Sequence, residues 1–188
     1  MKRLLLALLI ALALSTAAFA DHAQDSLGLG GVSGYGWGWN GPHMHNDFFP
    51  ASLSLKIPKV PLFWGLKVGL FNVYDFGLGI TGDWYFVEPN MISATKTNDD
   101  GSYNLKIDWY VGVGFYANMY TGHDYFAGDG GLRVPFGVSW HAMGEIKKLE
   151  VSVGSVGGLG IGGSKYLEKP YFHVFFIPVE VAVRWWFD

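Results

Sequence analysis

The chain of 188 residues has no cysteine, a formal net charge of -3, 50% hydrophobic and 17% aromatic residues, and only 15% charged residues. The missing cysteine excludes a disulfide framework, and the charge balance leaves no basic footprint for nucleic acid. The charged fraction lies well below the roughly 25% of water-soluble domains and, with 27 glycines, suits a chain whose outside faces lipid. Lys2 and Arg3, the apolar stretch Leu4 to Leu14 and the small-residue site Ala18-Phe19-Ala20 predict a Sec-type signal peptide over residues 1–20, leaving 21–188 as one exported domain. That apolar core is too short for a spanning helix, and no later stretch has the roughly 20 continuous apolar residues one needs.

Eight segments then alternate at period two, the mark of strands with one apolar and one polar face. Leu27 to Trp39 sets Leu27, Leu29, Tyr35, Trp37 and Trp39 against glycines, and NGPHMHND follows as a loop. Ser52 to Ile57 and Phe63 to Leu70 are separated by a tight connection containing Pro58 and Pro61. Phe76 to Val87 leads into a polar loop from Glu88 to Tyr103, and Asn104 to Ala117 into a second loop, NMYTGHDYFAGDG. Leu132 to Trp140, Lys147 to Val156, a glycine-rich connection and Tyr171 to Phe187 complete the set. In the last segment Phe175, Ile177, Val179, Val181, Val183, Trp185 and Phe187 share one parity, with Glu180 and Arg184 on the other. Strands at this spacing without helices between them predict an all-β, eight-stranded antiparallel up-and-down barrel.

Size orients the faces. An eight-stranded barrel is just wide enough to be filled by side chains, so the crowded Trp, Phe, Leu, Ile and Val positions must point outward, making the barrel transmembrane. With the N-terminus in the periplasm, as an even-stranded outer-membrane barrel requires, Trp64, Trp84, Trp109, Trp140 and Trp185, with Trp186, fall at the periplasmic rim. Trp37 and Trp39 fall at the opposite rim, giving two interfacial aromatic belts. Pro135 and Pro178 lie inside strands, where each removes a ladder donor, and predict bulges. The segment from Glu88 to Tyr103 falls on the periplasmic side, where turns are short, unless a strand upstream is miscounted.

The inward parity collects Lys56, Lys67, Arg133 and Arg184 against Asp83, Asp108, Glu150 and Glu180. Charges inside a narrow barrel must be paired or hydrated, so this set reads as a structural ion-pair network plugging the lumen, or as the lining of a narrow path. His43 and His45 with Asp47 could ligate a transition metal, His123 and Asp124 adding a third ligand, but a solvated loop explains them too. Ser139 and His141 share parity at a spacing of about 7 Å, beyond the reach of proton transfer, so no catalytic residue is assigned. Gly158, Gly160 and Gly163 satisfy G-x-G-x-x-G without the helix N-terminus that holds a phosphate, and read as a pliable outer loop. Phe48, Phe49, Tyr120, Tyr125, Phe126 and Tyr171 read as loop tips offering binding surface, or equally as members of the upper lipid girdle.

The export signal, the eight alternating strands, the aromatic rims and the aromatic terminal strand together resemble the small eight-stranded bacterial outer-membrane barrels of the OmpA/OmpX/OmpW-like kind. One departure is that Phe187 is penultimate, before Asp188, where such barrels end on the aromatic itself. The resemblance implies an outer-membrane location, a lipid surround, insertion by the barrel-assembly machinery and no cofactor. The expectation is a monomeric barrel that is not an enzyme, with a plugged lumen and outer loops displayed to an extracellular ligand or host protein. A narrow pore or carrier for small or apolar solutes is the alternative, and a membrane-embedded hydrolase a third reading.

Overall fold

The computed structural model describes residues 26–40, 43–70, 76–98, 101–122, 126–141, 148–165 and 170–187. They form eight strands: β1 (Leu27–Asn40), β2 (His43–Lys56), β3 (Phe63–Leu70), β4 (Phe76–Asn98), β5 (Gly101–Thr121), β6 (Phe126–His141), β7 (Leu149–Ser164) and β8 (Tyr171–Phe187). Each pairs antiparallel with its chain neighbours, and β8 pairs with β1, closing the barrel. The fold is therefore the all-β closed antiparallel barrel that the alternation predicts.

The register fixes the shape. Gly30 lies opposite Ser54, and the path continues through Gly65, Thr81, Tyr116, Gly131, Gly160 and His173 to Asn40, ten residues further along β1. Eight strands with that stagger, at ~3.3 Å per residue and ~4.7 Å between strands, tilt by roughly 40°.

β3 and β8 have the expected bounds, and several other strands run through segments read as loops. β2 begins at His43, so most of NGPHMHND is strand paired with β1. β4 and β5 continue through the polar segment as a hairpin, with Thr97 opposite Ser102 and Asn98 opposite Gly101, after a register shift between Glu88 and Ile92. β3 ends its pairing with β4 at Asp83, and β6 ends its pairing with β5 at Lys106. The hairpin therefore projects beyond the wall, at the end of the barrel where both β1 starts and β8 finishes. With all eight strands in place, no upstream miscount moves it. β6 begins at Phe126, and β7 absorbs the glycine-rich connection, so Gly158, Gly160 and Gly163 belong to a strand. Polar and glycine-rich residues read as turns, but two strands that satisfy each other's backbone groups tolerate them where a hairpin leaves the wall.

The two prolines are accommodated differently. Gly154 pairs with Glu180 but Val156 with Ile177, and Tyr35 with Val179 but Trp37 with Phe176. β8 thus holds one extra residue at Pro178, a bulge. Every side chain before it changes face. Phe175 and Ile177 point into the barrel, Ile177 at 0% exposure, while Phe172, Val174 and Phe176 point out. This corrects the single apolar parity read for the whole strand. Pro135 makes no bulge: it is fully buried, and the β5/β6 ladder breaks between Val111 opposite Phe136 and Gly114 opposite Arg133.

Outside the barrel, Leu53, Leu66, Val68, Val111, Val113, Leu132, Val134, Val153 and Val181 are all exposed. Inside, Tyr116, Val156, Phe175 and Ile177 form one buried apolar cluster. Glycine makes room for these rings: a Cβ at Gly158 would strike the Phe175 ring, and one at Gly112 would lie 2.6 Å from Tyr85.

Candidate functional site: the charged lumen

Charges on the inward parity meet in separate groups along the lumen. Nearest the chain termini, Arg184, 5% exposed, donates from Nη1 to Glu150 Oε1 at 3.0 Å and from Nε to the Ser54 hydroxyl at 2.8 Å. Trp186 points inward beside it, its indole N–H donating to Glu150 Oε2 at 2.8 Å. The Arg184 guanidinium lies 4.9 Å from the centre of the Phe63 ring, a cation–π contact on the negative face of the arene. Lys56, deeply buried, donates to the Ile57 carbonyl at 3.0 Å and lies 5.8 Å from the same ring.

Further into the barrel, Arg133 on β6, 2% exposed, joins two strands on other sides of the lumen. Its Nε lies 3.0 Å from Asp83 Oδ1 on β4, and its Nη2 lies 3.2 Å from both oxygens of Glu180 on β8. Tyr85 donates its hydroxyl to Asp83 Oδ2 at 3.4 Å. Gly114 is what lets Asp83 lie across β5, since a Cβ there would strike the carboxylate. A cavity of about 20 Å³ lies between these pairs, with Lys67, Asp83, Arg133, Glu180, Ser52 and Ser54 in its wall. It has room for about one water molecule.

Asp108, almost fully buried on β5, meets His141 on β6. Its Oδ2 lies 3.4 Å from His141 Nε2, and the same nitrogen lies 3.5 Å from the Ser139 hydroxyl. Side chains two apart on one strand thus lean together, correcting the expectation that Ser139 and His141 cannot meet. A nucleophile and an orienting carboxylate would have to engage opposite imidazole nitrogens, yet here both engage Nε2. The three side chains form a polar cluster near the mouth of the barrel, His141 lying between Asp108 and Ser139.

Sequence reasoning missed a fourth group at the other end. Tyr116 Oη lies 3.0 Å from His173 Nδ1, Asp129 Oδ1 lies 3.8 Å from the same nitrogen, and Asn118 donates to Asp129 Oδ1 at 2.8 Å. Asp129 falls in NMYTGHDYFAGDG, which carries loop chemistry, and His173 shares the odd numbering of the apolar face of the last strand. The signal that could have found them was Pro178: a bulge there turns His173 inward.

Trp64, Trp84, Trp109, Trp140 and Trp185 lie toward the barrel end where β1 starts and β8 finishes, and Trp37 and Trp39 toward the other. Trp64 packs edge-on against Phe115 at 5.8 Å. Among the described residues no group of three or more His, Asp or Glu side chains could hold a metal ion. The side chains of His43, His45, Asp47, Phe48 and Phe49 lie outside the described ones, as do residues His123, Asp124 and Tyr125. Gly160 serves packing: a Cβ there would strike the Gly130 carbonyl.

The fold and its side chains define a class, a closed eight-stranded barrel with an apolar outside and ion pairs within. In comparisons with known proteins, no family model, no curated protein and no solved structure matches the chain.

Proposed function

We propose that the chain is an outer-membrane barrel with a structural and surface-interaction role, its lumen plugged by paired charges. The observation that carries this reading is the inverted polarity of the wall: Arg133, Arg184, Glu150, Asp83 and Asp108 are buried inside, while among the described residues 32 large hydrophobic side chains are exposed. Contiguous apolar patches on proteins in water rarely exceed a few hundred Å², whereas a lipid-facing band is what a spanning barrel presents. Residues 1–20 then direct export, the barrel-assembly machinery inserts residues 21–188, and lipid is the principal partner. A closed barrel satisfies its own strand edges, so the protein works as a monomer. It requires no cofactor and performs no catalysis; the functional surface is the end opposite the termini, displayed to an extracellular ligand or host protein.

On this reading the paired charges leave water little room in the lumen. Parent protein refolded into a planar bilayer is therefore expected to fold, showing heat-modifiable gel mobility, yet to give no discrete conductance steps. Reproducible steps that change when Glu180 is replaced by Ala would favour the second reading, a narrow pore, for which the small cavity between the ion pairs speaks. Failure to enter lipid at all would end both.

A further inference from the structure

The wall is not equally sealed all round. Where the chain ends meet, β1 and β8 share thirteen register pairs, from Leu27 opposite Phe187 to Asn40 opposite His173. Among the described residues β2 and β3 share five, from Lys56 opposite Phe63 to Ser52 opposite Lys67. Among the described residues, Val68 to Leu70 of β3 pair with β4 and not with β2, and β2 from Phe49 to His43 pairs with β1. The ladder stops where β2 carries an extra residue between Ser52 and Phe49, a stretch that includes Pro50. Proline has no N–H to donate, and a bulge breaks the spacing a neighbour would need.

A second observation falls at the same place. The polar cavity has Ser52 and Ser54 of β2 and Gly65 and Lys67 of β3 in its wall, the two flanks of the short ladder. Ser52 and Lys67 are the last register pair of that ladder, so the cavity reaches the point where it stops.

We infer that the barrel opens laterally between β2 and β3, making the cavity beside Lys67 reachable through the wall, and that the β1/β8 closure stays shut. The inference rests on the closed barrel and not on its membrane placement.

Local opening is read by amide hydrogen exchange, measured on the mature chain folded in detergent micelles. Amides of 53–56 and 63–67 are expected to exchange about tenfold or more faster than those of 29–35 and 179–185. The chain has no cysteine, so Leu53→Cys with Leu66→Cys, outward-facing register partners, can form a single cross-link. Once oxidised it should slow exchange at 63–67 to the β1/β8 rate, while Ser33→Cys with Val181→Cys, across β1/β8, should leave the seam unchanged. Equal protection at the two seams in the parent, or faster exchange at β1/β8, overturns the inference. The parent measurement decides even if a cysteine variant fails to fold. Failure to insert into bilayers would sink the membrane reading and leave this result standing.

Discussion

Replacing Arg133 with alanine is expected to destabilise the barrel by about 3–5 kcal/mol, the cost of breaking a buried ion pair by removing one partner. The guanidinium lies between Asp83 at 3.0 Å and Glu180 at 3.2 Å, and without it two carboxylates face each other across a cavity that holds about one water. Each loses its direct arginine partner, and a cavity of that size hydrates them only in part. Unfolding by urea of the parent and the variant in the same micelles reads the loss as a lower midpoint. Adding Glu180→Gln to Arg133→Ala should recover part of it, because one of the stranded charges is gone; groups sharing one network are not additive. An unchanged midpoint in the single variant would mean that solvent reaches these carboxylates freely, and the plugged-lumen reading would fall with it.

The same geometry explains why the lumen uses arginine at its two junctions. A planar fork can hold two acceptors in different directions, and Arg133 bridges β4 to β8 while Arg184 bridges β7 to β2. Each spans strands that do not share a ladder. These pairs therefore tie the wall across its interior, in addition to the hydrogen bonds that run around it. Buried ion pairs are weak contributors to net stability, but a strand slipped by one residue would turn a guanidinium out onto the apolar exterior.

Period-two alternation made most of the fold legible. Leu105, Ile107, Trp109, Val111, Val113 and Phe115 against Lys106, Asp108 and Tyr110 leave one reading for β5, and the chain order of the strands follows from the short connections. What alternation could not show was strand length, because the residues of the Glu88 to Tyr103 segment and of NGPHMHND carry turn chemistry while their backbones pair in hairpins. Nor does it survive a bulge. Phe175 and Ile177 continued the apolar parity of Val179 to Phe187 in the sequence, yet the extra residue at Pro178 turns them onto Tyr116 and Val156 inside. The charges of the candidate site were legible as a set, since parity alone gathers them, but their partners were not: Glu150 meets Arg184 through the β7/β8 register, and Asp83 meets Arg133 across the lumen because of the shear, which only closure determines.

Closure also predicts a contrast between two glycines in neighbouring strands. Gly131 on β6 faces inward opposite Gly160, and a Cβ there would strike the Leu159 carbonyl oxygen and the Gly160 Cα. Both are backbone, so no side chain can swing aside, and the cost of relief is the β6/β7 ladder itself. Gly131→Ala should therefore destabilise by about 3 kcal/mol, at the upper end for overpacking by a single methyl. Gly157 on β7 is the counterpart: a Cβ there meets nothing within 4 Å. Gly157→Ala should be neutral or stabilise by about 0.5–1 kcal/mol, since alanine restricts the unfolded chain more than glycine does. Urea midpoints of both variants, measured alongside the parent, test the register directly. If Gly131→Ala were tolerated and Gly157→Ala costly, β6 and β7 would have to pair with the opposite faces inward, and the shear of ten residues would be wrong.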